Sequence, residues 1–126
     1  MNKQETFETV SKHLFAQGKR SYDEGQRICQ YRYTDGTKCA VGCLIPDEMY
    51  KEGMEGWSVR ILFNTFPEIK ELLGAENIRL LENLQTAHDN QYSWSDTSSM
   101  RSALTEVGLN HGLSTTFLDD LSFADR

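Results

Sequence analysis

Cysteine is scarce in this chain, basic residues are outnumbered, and no long apolar run occurs; each shortage closes off a class of protein. Three cysteines in 126 residues are an odd number at low density. That fits a reducing compartment better than the disulfide framework of a small secreted domain. No apolar stretch approaches the roughly 18 residues of a membrane span. The polar start Met1-Asn2-Lys3-Gln4-Glu5 lacks a signal-peptide pattern, so a cytoplasmic location is expected and no membrane partner. Lys and Arg number 13 against 19 Asp and Glu, for a net charge of −6. The basic residues are scattered, each near an acidic one, so no nucleic-acid partner is expected. The acidic excess is too mild to suggest nucleic-acid mimicry. Gly-rich phosphate loops, His-Glu-x-x-His and Gly-x-Ser-x-Gly are all missing, which removes common enzyme classes.

What is present suits one ordinary domain over residues 1–126, long enough for a core without staples. Asn2 followed by Glu5 predicts a capping box, Phe7, Val10, Leu14 and Phe15 keep helical period, and Gly18 supplies a stop. Ile28 to Tyr33 alternates apolar and polar before the turn at Thr34-Asp35-Gly36, which predicts an extended or hairpin element near 28–38. Lys38 to Ile45 reads as a short buried helix ended by Pro46, and Pro46 to Tyr50 as a further helical turn. Ser58 is placed to cap a helix with Val59, Leu62, Phe63 and Phe66, followed by a second piece from Pro67 to Gly74. The clearest helical period runs from Glu76 to about His88. Ser95 or Asp96 then caps a helix ending near Gly112, and Ser114 a last short one. The expected fold is mainly α, with five to six helices.

Chemistry concentrates at Lys38-Cys39-Ala40-Val41-Gly42-Cys43-Leu44-Ile45-Pro46-Asp47. On a helix, Cys39 and Cys43 stand about one turn apart on one face. The segments Tyr33 to Asp47, Met54-Glu55-Gly56 and Leu84-Gln85-Thr86-Ala87-His88-Asp89 resemble a group of small uncharacterised proteins of bacteria and tailed bacteriophages. A wider actinobacterial set has a similar Gly-x-x-Cys-x-x-Gly-x-Leu segment. The resemblance spans roughly Cys29 to Gly112 and brings no established activity. It implies a phage or mobile-element origin, and with it a host cytoplasm and a host defence or regulatory factor as partner.

Several site readings compete with ordinary packing. A cysteine-dependent hydrolase or transferase would use Cys39 as nucleophile, its pKa lowered at a helix start, with His88 as base and Asp89 or Asn90 as orienter. Against it, Cys beside Ala, Val and Gly is usually a packing residue, and His88 shares a face with Leu81 and Leu84. A zinc-stabilised domain would use Cys39, Cys43, His88 and His111 or Asp89, although Cys-x3-Cys is weakly diagnostic; no metal or cofactor is expected. A disulfide from Cys29 to Cys39 or Cys43 is conceivable across the turn. The acids Asp47, Glu48, Glu52 and Glu55 read as a solvated loop rather than a cation site. Among them Tyr50, Met54 and Trp57 either cover the core or form a contact surface. Tyr92 and Trp94 pose the same choice, with burial of Trp94 giving its indole N–H a carbonyl. The reading favoured is a small protein that binds another protein, with Tyr50, Met54, Trp57, Tyr92 and Trp94 as contact candidates.

Overall fold

Helix α1, Lys3–Gln17, begins as its capping box dictates: the Asn2 side chain accepts the Glu5 N–H at 2.8 Å and Glu5 Oε1 accepts the Asn2 N–H at 3.2 Å. It ends at Gly18, whose φ of 75° is a left-handed cap open to glycine at little cost. The computed structural model describes residues 1–124. Strands β1, Tyr22–Asp23, and β2, Ile28–Cys29, form an antiparallel hairpin in which Tyr22 faces Cys29 and Asp23 faces Ile28. Its tip is shaped by Asp23, whose Oδ1 accepts the N–H groups of Gly25 and Gln26.

Helices α2, Val59–Thr65, and α3, Pro67–Leu73, follow, the first capped by the Ser58 hydroxyl and the second started by Pro67 and stopped by Gly74. Helix α4, Ile78–Asp89, and helix α5, Thr97–Asn110, complete five α-helices among the described residues, and Asp96 caps α5 through the Ser99 N–H. The mainly helical expectation holds. No helix among the described residues is long and apolar enough to cross a membrane.

The core has two compartments with α4 between them. Leu80, Leu84 and Ala87 pack with Phe7, Leu14, Trp94 and Leu104 on one side. Leu81 faces Tyr31, Cys39, Met54, Leu62 and Ile69 on the other. Each fully buried leucine stabilises the fold by about 1.5–3 kcal/mol relative to exposure. The last described segment returns to α1: the Gln4 side-chain amide donates to the Ser114 carbonyl at 3.0 Å and accepts its N–H at 2.9 Å, and Phe7 meets Phe117 edge-on at 5.4 Å.

Four local expectations are corrected. The strand over 28–33 shrinks to Ile28–Cys29, because the Glu55 carboxylate takes the N–H groups of Tyr31 and Arg32 that a ladder would have used. The helix over 38–45 is a turn followed by a short 3₁₀ segment, Gly42–Leu44; Cys39 N–H instead pairs with the Tyr31 carbonyl at 3.2 Å. Pro46 to Tyr50 is a hydrogen-bonded turn, not a helix. The last short helix is a 3₁₀ segment, Thr116–Asp120, and its N-cap position is Thr115 rather than Ser114, with no side-chain cap.

Candidate functional site

A cleft of about 640 Å³ opens between the hairpin, the loop at 56–58 and the outer face of α4. Glu82, Gln85, Thr86 and Asp89 supply the α4 wall, brought into line by their helical spacing. The opposite wall carries Arg20, Tyr22, Arg27, Ile28 and Cys29, and Tyr31 and Trp57 lie between. The Tyr31 hydroxyl donates to the Trp57 main-chain carbonyl at 2.5 Å, which orients the Tyr31 ring, and the Trp57 ring lies 5.9 Å from the Phe66 ring.

The two walls differ in what their charges are committed to. Glu82 is gripped by both arms of Arg60 at 3.1 Å. The Arg20 guanidinium lies 3.8 Å over the Tyr22 ring and donates to the Asp89 main-chain carbonyl at 2.9 Å. Arg27 holds φ 56°, a left-handed conformation unfavourable for any residue with a Cβ, and its guanidinium makes no hydrogen bond or ion pair with a described residue. Neither arginine is ion-paired to a described carboxylate.

At the inner end of the cleft, one candidate ligand atom from each of Cys29, His88 and Asp89 lies within 4.8 Å of the others. The cysteine brought to this pair is therefore Cys29, not Cys39. His88 is completely buried. Its Nε2 accepts the Ser21 backbone N–H at 3.0 Å, so its proton is on Nδ1, which donates to Asp89 Oδ1 at 2.7 Å. Burial, then the negative charge of Asp89 and a thiol hydrogen bond to it, push the Cys29 thiol up to about 12, with Arg20 opposing.

This order, thiol to carboxylate to imidazole, differs from a catalytic arrangement in which the imidazole meets the thiol. The His88 lone pair is already filled by a backbone amide and is not available to take the thiol proton. A cation fits no better. Ligation through Nδ1 would move the ring proton to Nε2, straight at the Ser21 N–H, and ligation through Nε2 would displace that amide.

Cys39 has no exposed surface and sits among Tyr31, Met54 and Leu81. The expected lowering of its pKa is reversed: burial pushes the thiol up, and no helix begins there to oppose this, although the Gly42 N–H donates to the sulfur at 3.2 Å. Cys43 is mostly covered and directs its thiol at the Ala40 carbonyl; burial pushes it up to about 12. All three cysteines are free thiols. His111 is paired with Asn83 at 2.7 Å, away from the Cys29 cluster.

The contact candidates separate. Met54 is completely buried and Trp94 nearly so, the latter with its indole N–H on the His88 carbonyl at 2.8 Å, so both belong to the core. Tyr50 is half-buried, its hydroxyl donating to Glu55 at 2.6 Å under the Arg32 guanidinium. Trp57 lines the cleft, and Tyr92 stands 70% exposed beyond it. Sequence reasoning missed Arg20, Arg27, Gln85 and the role of Cys29. Of these only the hairpin tip had a local signal, the Asp23-x-Gly25 turn. Gln85 accepts the Val41 N–H at 3.1 Å, which docks the segment after Gly36 onto α4. No family model, curated protein or solved structure matches this chain.

Proposed function

We propose that this protein acts by binding another protein, through the cleft between the hairpin, Trp57 and α4. The observation that carries this reading is the uneven commitment of the cleft walls. The carboxylates are occupied by Arg60, His88 and Cys29, whereas the guanidinium groups of Arg20 and Arg27, beside the Trp57 and Tyr22 rings, have no carboxylate partner among the described residues. Arginine and large aromatics together are the residue types that dominate binding energy at interfaces. An acidic, apolar-bearing segment of a partner is the complement of such a surface. The state of Cys29 and His88 argues for binding over thiol catalysis. The likeness to phage and bacterial proteins supports a phage or mobile-element source, and a cytoplasmic host regulatory or defence factor as the partner.

The test is capture from the native host followed by titration of the purified partner. Trp57→Ala and Arg27→Glu should each raise Kd at least about tenfold, the effect of losing one interface anchor; Arg27→Glu should do so with the melting temperature unchanged, and Trp57→Ala is read below its own, lower, melting transition. Equal affinity for wild type and both variants would overturn the cleft as the docking site. Loss of affinity on Tyr92→Ala instead would move the interface to the loop after α4.

A further inference from the structure

We propose that His88 is a proton-operated latch on the hairpin: the neutral ring holds Ser21 against the end of α4, and protonation at Nε2 releases it and opens the wall of the cleft.

Ser21 is the node that fixes this wall. Its N–H goes to His88, its hydroxyl donates to the Thr37 carbonyl at 3.3 Å, and its carbonyl accepts the Gln30 N–H at 3.0 Å, closing the hairpin. The rest of the hairpin offers little apolar anchoring, since residues 24–28 are exposed and Tyr22 is only partly covered. Such segments open at low free-energy cost. The His88 bond is thus one of a few polar links that hold the wall, with Arg20 on the Asp89 carbonyl and the Cys29 thiol on the Asp89 carboxylate.

That bond exists in one protonation state only. A backbone N–H can only donate, so Nε2 must keep its lone pair; a proton there sets two N–H groups nose to nose in a completely buried site. Asp89 faces Nδ1 at 2.7 Å, so the proton that breaks the bond must enter at Nε2, which solvent reaches only when Ser21 lifts away. The charged and titratable groups around the ring are Asp89 on α4, Arg20, which donates to the Asp89 carbonyl, His13 on α1, itself paired with the Lys38 carbonyl at 2.9 Å, and the Cys29 thiol on β2. Trp94 meets the ring edge-on at 5.7 Å and closes the remaining side. The Ser21 bond and a proton on Nε2 exclude one another, so acid works against closure.

The latch is a property of the fold, and its test reads the hairpin rather than a partner, so it stands or falls separately from the binding proposal. Amide exchange by NMR, corrected for intrinsic rates, should show the Ser21 and Gln30 protection factors falling about tenfold or more between about pH 7.5 and pH 5, the loss of one hydrogen bond. Leu104, in α5, should keep its protection. His88→Gln, whose side-chain oxygen can still accept the Ser21 N–H without titrating, should abolish the pH response, and His13→Gln should preserve it. Retained Ser21 protection at pH 5, or a parallel loss at Ser21 and Leu104, would overturn the latch. If His88→Gln does not fold, ring ¹⁵N shifts of the wild type decide: an Nε2 that stays unprotonated while Ser21 loses protection also overturns it.

Discussion

Glu55 Oε1 accepts the Tyr31 backbone N–H at 2.7 Å, so a carboxylate from a loop stands where a neighbouring strand would have donated a carbonyl. The second oxygen accepts the Arg32 N–H at 3.0 Å and the Tyr50 hydroxyl at 2.6 Å. Three donors on one charged group stop β2 from extending and hold the 50–57 loop, with Trp57, beside the cleft. Glu55→Ala leaves two part-buried N–H groups without an acceptor and should cost about 2–4 kcal/mol of stability. Glu55→Gln, with one good acceptor, should cost about half of that. Urea unfolding measures both, and a loss for the alanine variant below about 0.5 kcal/mol, the range of an ordinary surface change, would remove this role.

Much of the helical frame was legible because its signals are local. Asn2 with Glu5, Ser58, Asp96, Pro67 and Gly74 each act within a turn of their own position, and each does what its chemistry predicts. The stretch 38–45 was misread because its conformation is set from outside, by Tyr31 and Gln85. The site was legible only as a conjunction: the motif segment does dock on α4, and His88 with Asp89 does terminate that helix. Which cysteine meets them depends on Ser21 reaching His88 across 67 residues, and no periodicity encodes that.

Gly42 makes the outside control concrete. A Cβ there would lie 1.9 Å from the Tyr31 carbonyl oxygen, which is backbone and cannot step aside. Gly42→Ala should cost about 3 kcal/mol or more through forced backbone displacement. Gly53→Ala, where a Cβ meets nothing within 4 Å, should change stability by no more than about 0.5 kcal/mol. Thermal melts of the pair suffice, and similar losses at both positions would contradict the close approach.

Arg27 offers a separation of stability from binding. Glycine relieves its left-handed backbone, so Arg27→Gly should stabilise the fold by about 0.5–1 kcal/mol. The same change removes a guanidinium from the cleft and should weaken partner binding. A variant that is less stable than wild type would mean that the arginine side chain anchors the hairpin tip.

The thiols set an alkaline limit. In the unfolded chain they ionise near 9.0, whereas in the folded protein Cys29 and Cys43 hold their protons to about 12. A group raised on folding adds stability that is complete below its unfolded value and is lost as pH climbs toward the folded one. The melting temperature should therefore fall progressively above about pH 9, and less steeply in a Cys29→Ala, Cys43→Ala double variant. At neutral pH all three thiols should react slowly with alkylating agents, Cys39 slowest because it is sealed. Rapid modification of any one of them at pH 7 would show a thiolate that this arrangement does not provide.

The two-pronged pairing of Gln4 with Ser114 joins positions 110 apart, and this has a consequence for biosynthesis. During translation, α1 emerges first yet lacks its Phe117 and Ser114 counterparts until residues 114–117 have cleared the ribosome. Its apolar stripe of Phe7, Val10 and Leu14 must wait for the 110 positions between Gln4 and Ser114 to be made. Nascent chains stalled short of that point would present this stripe to chaperones.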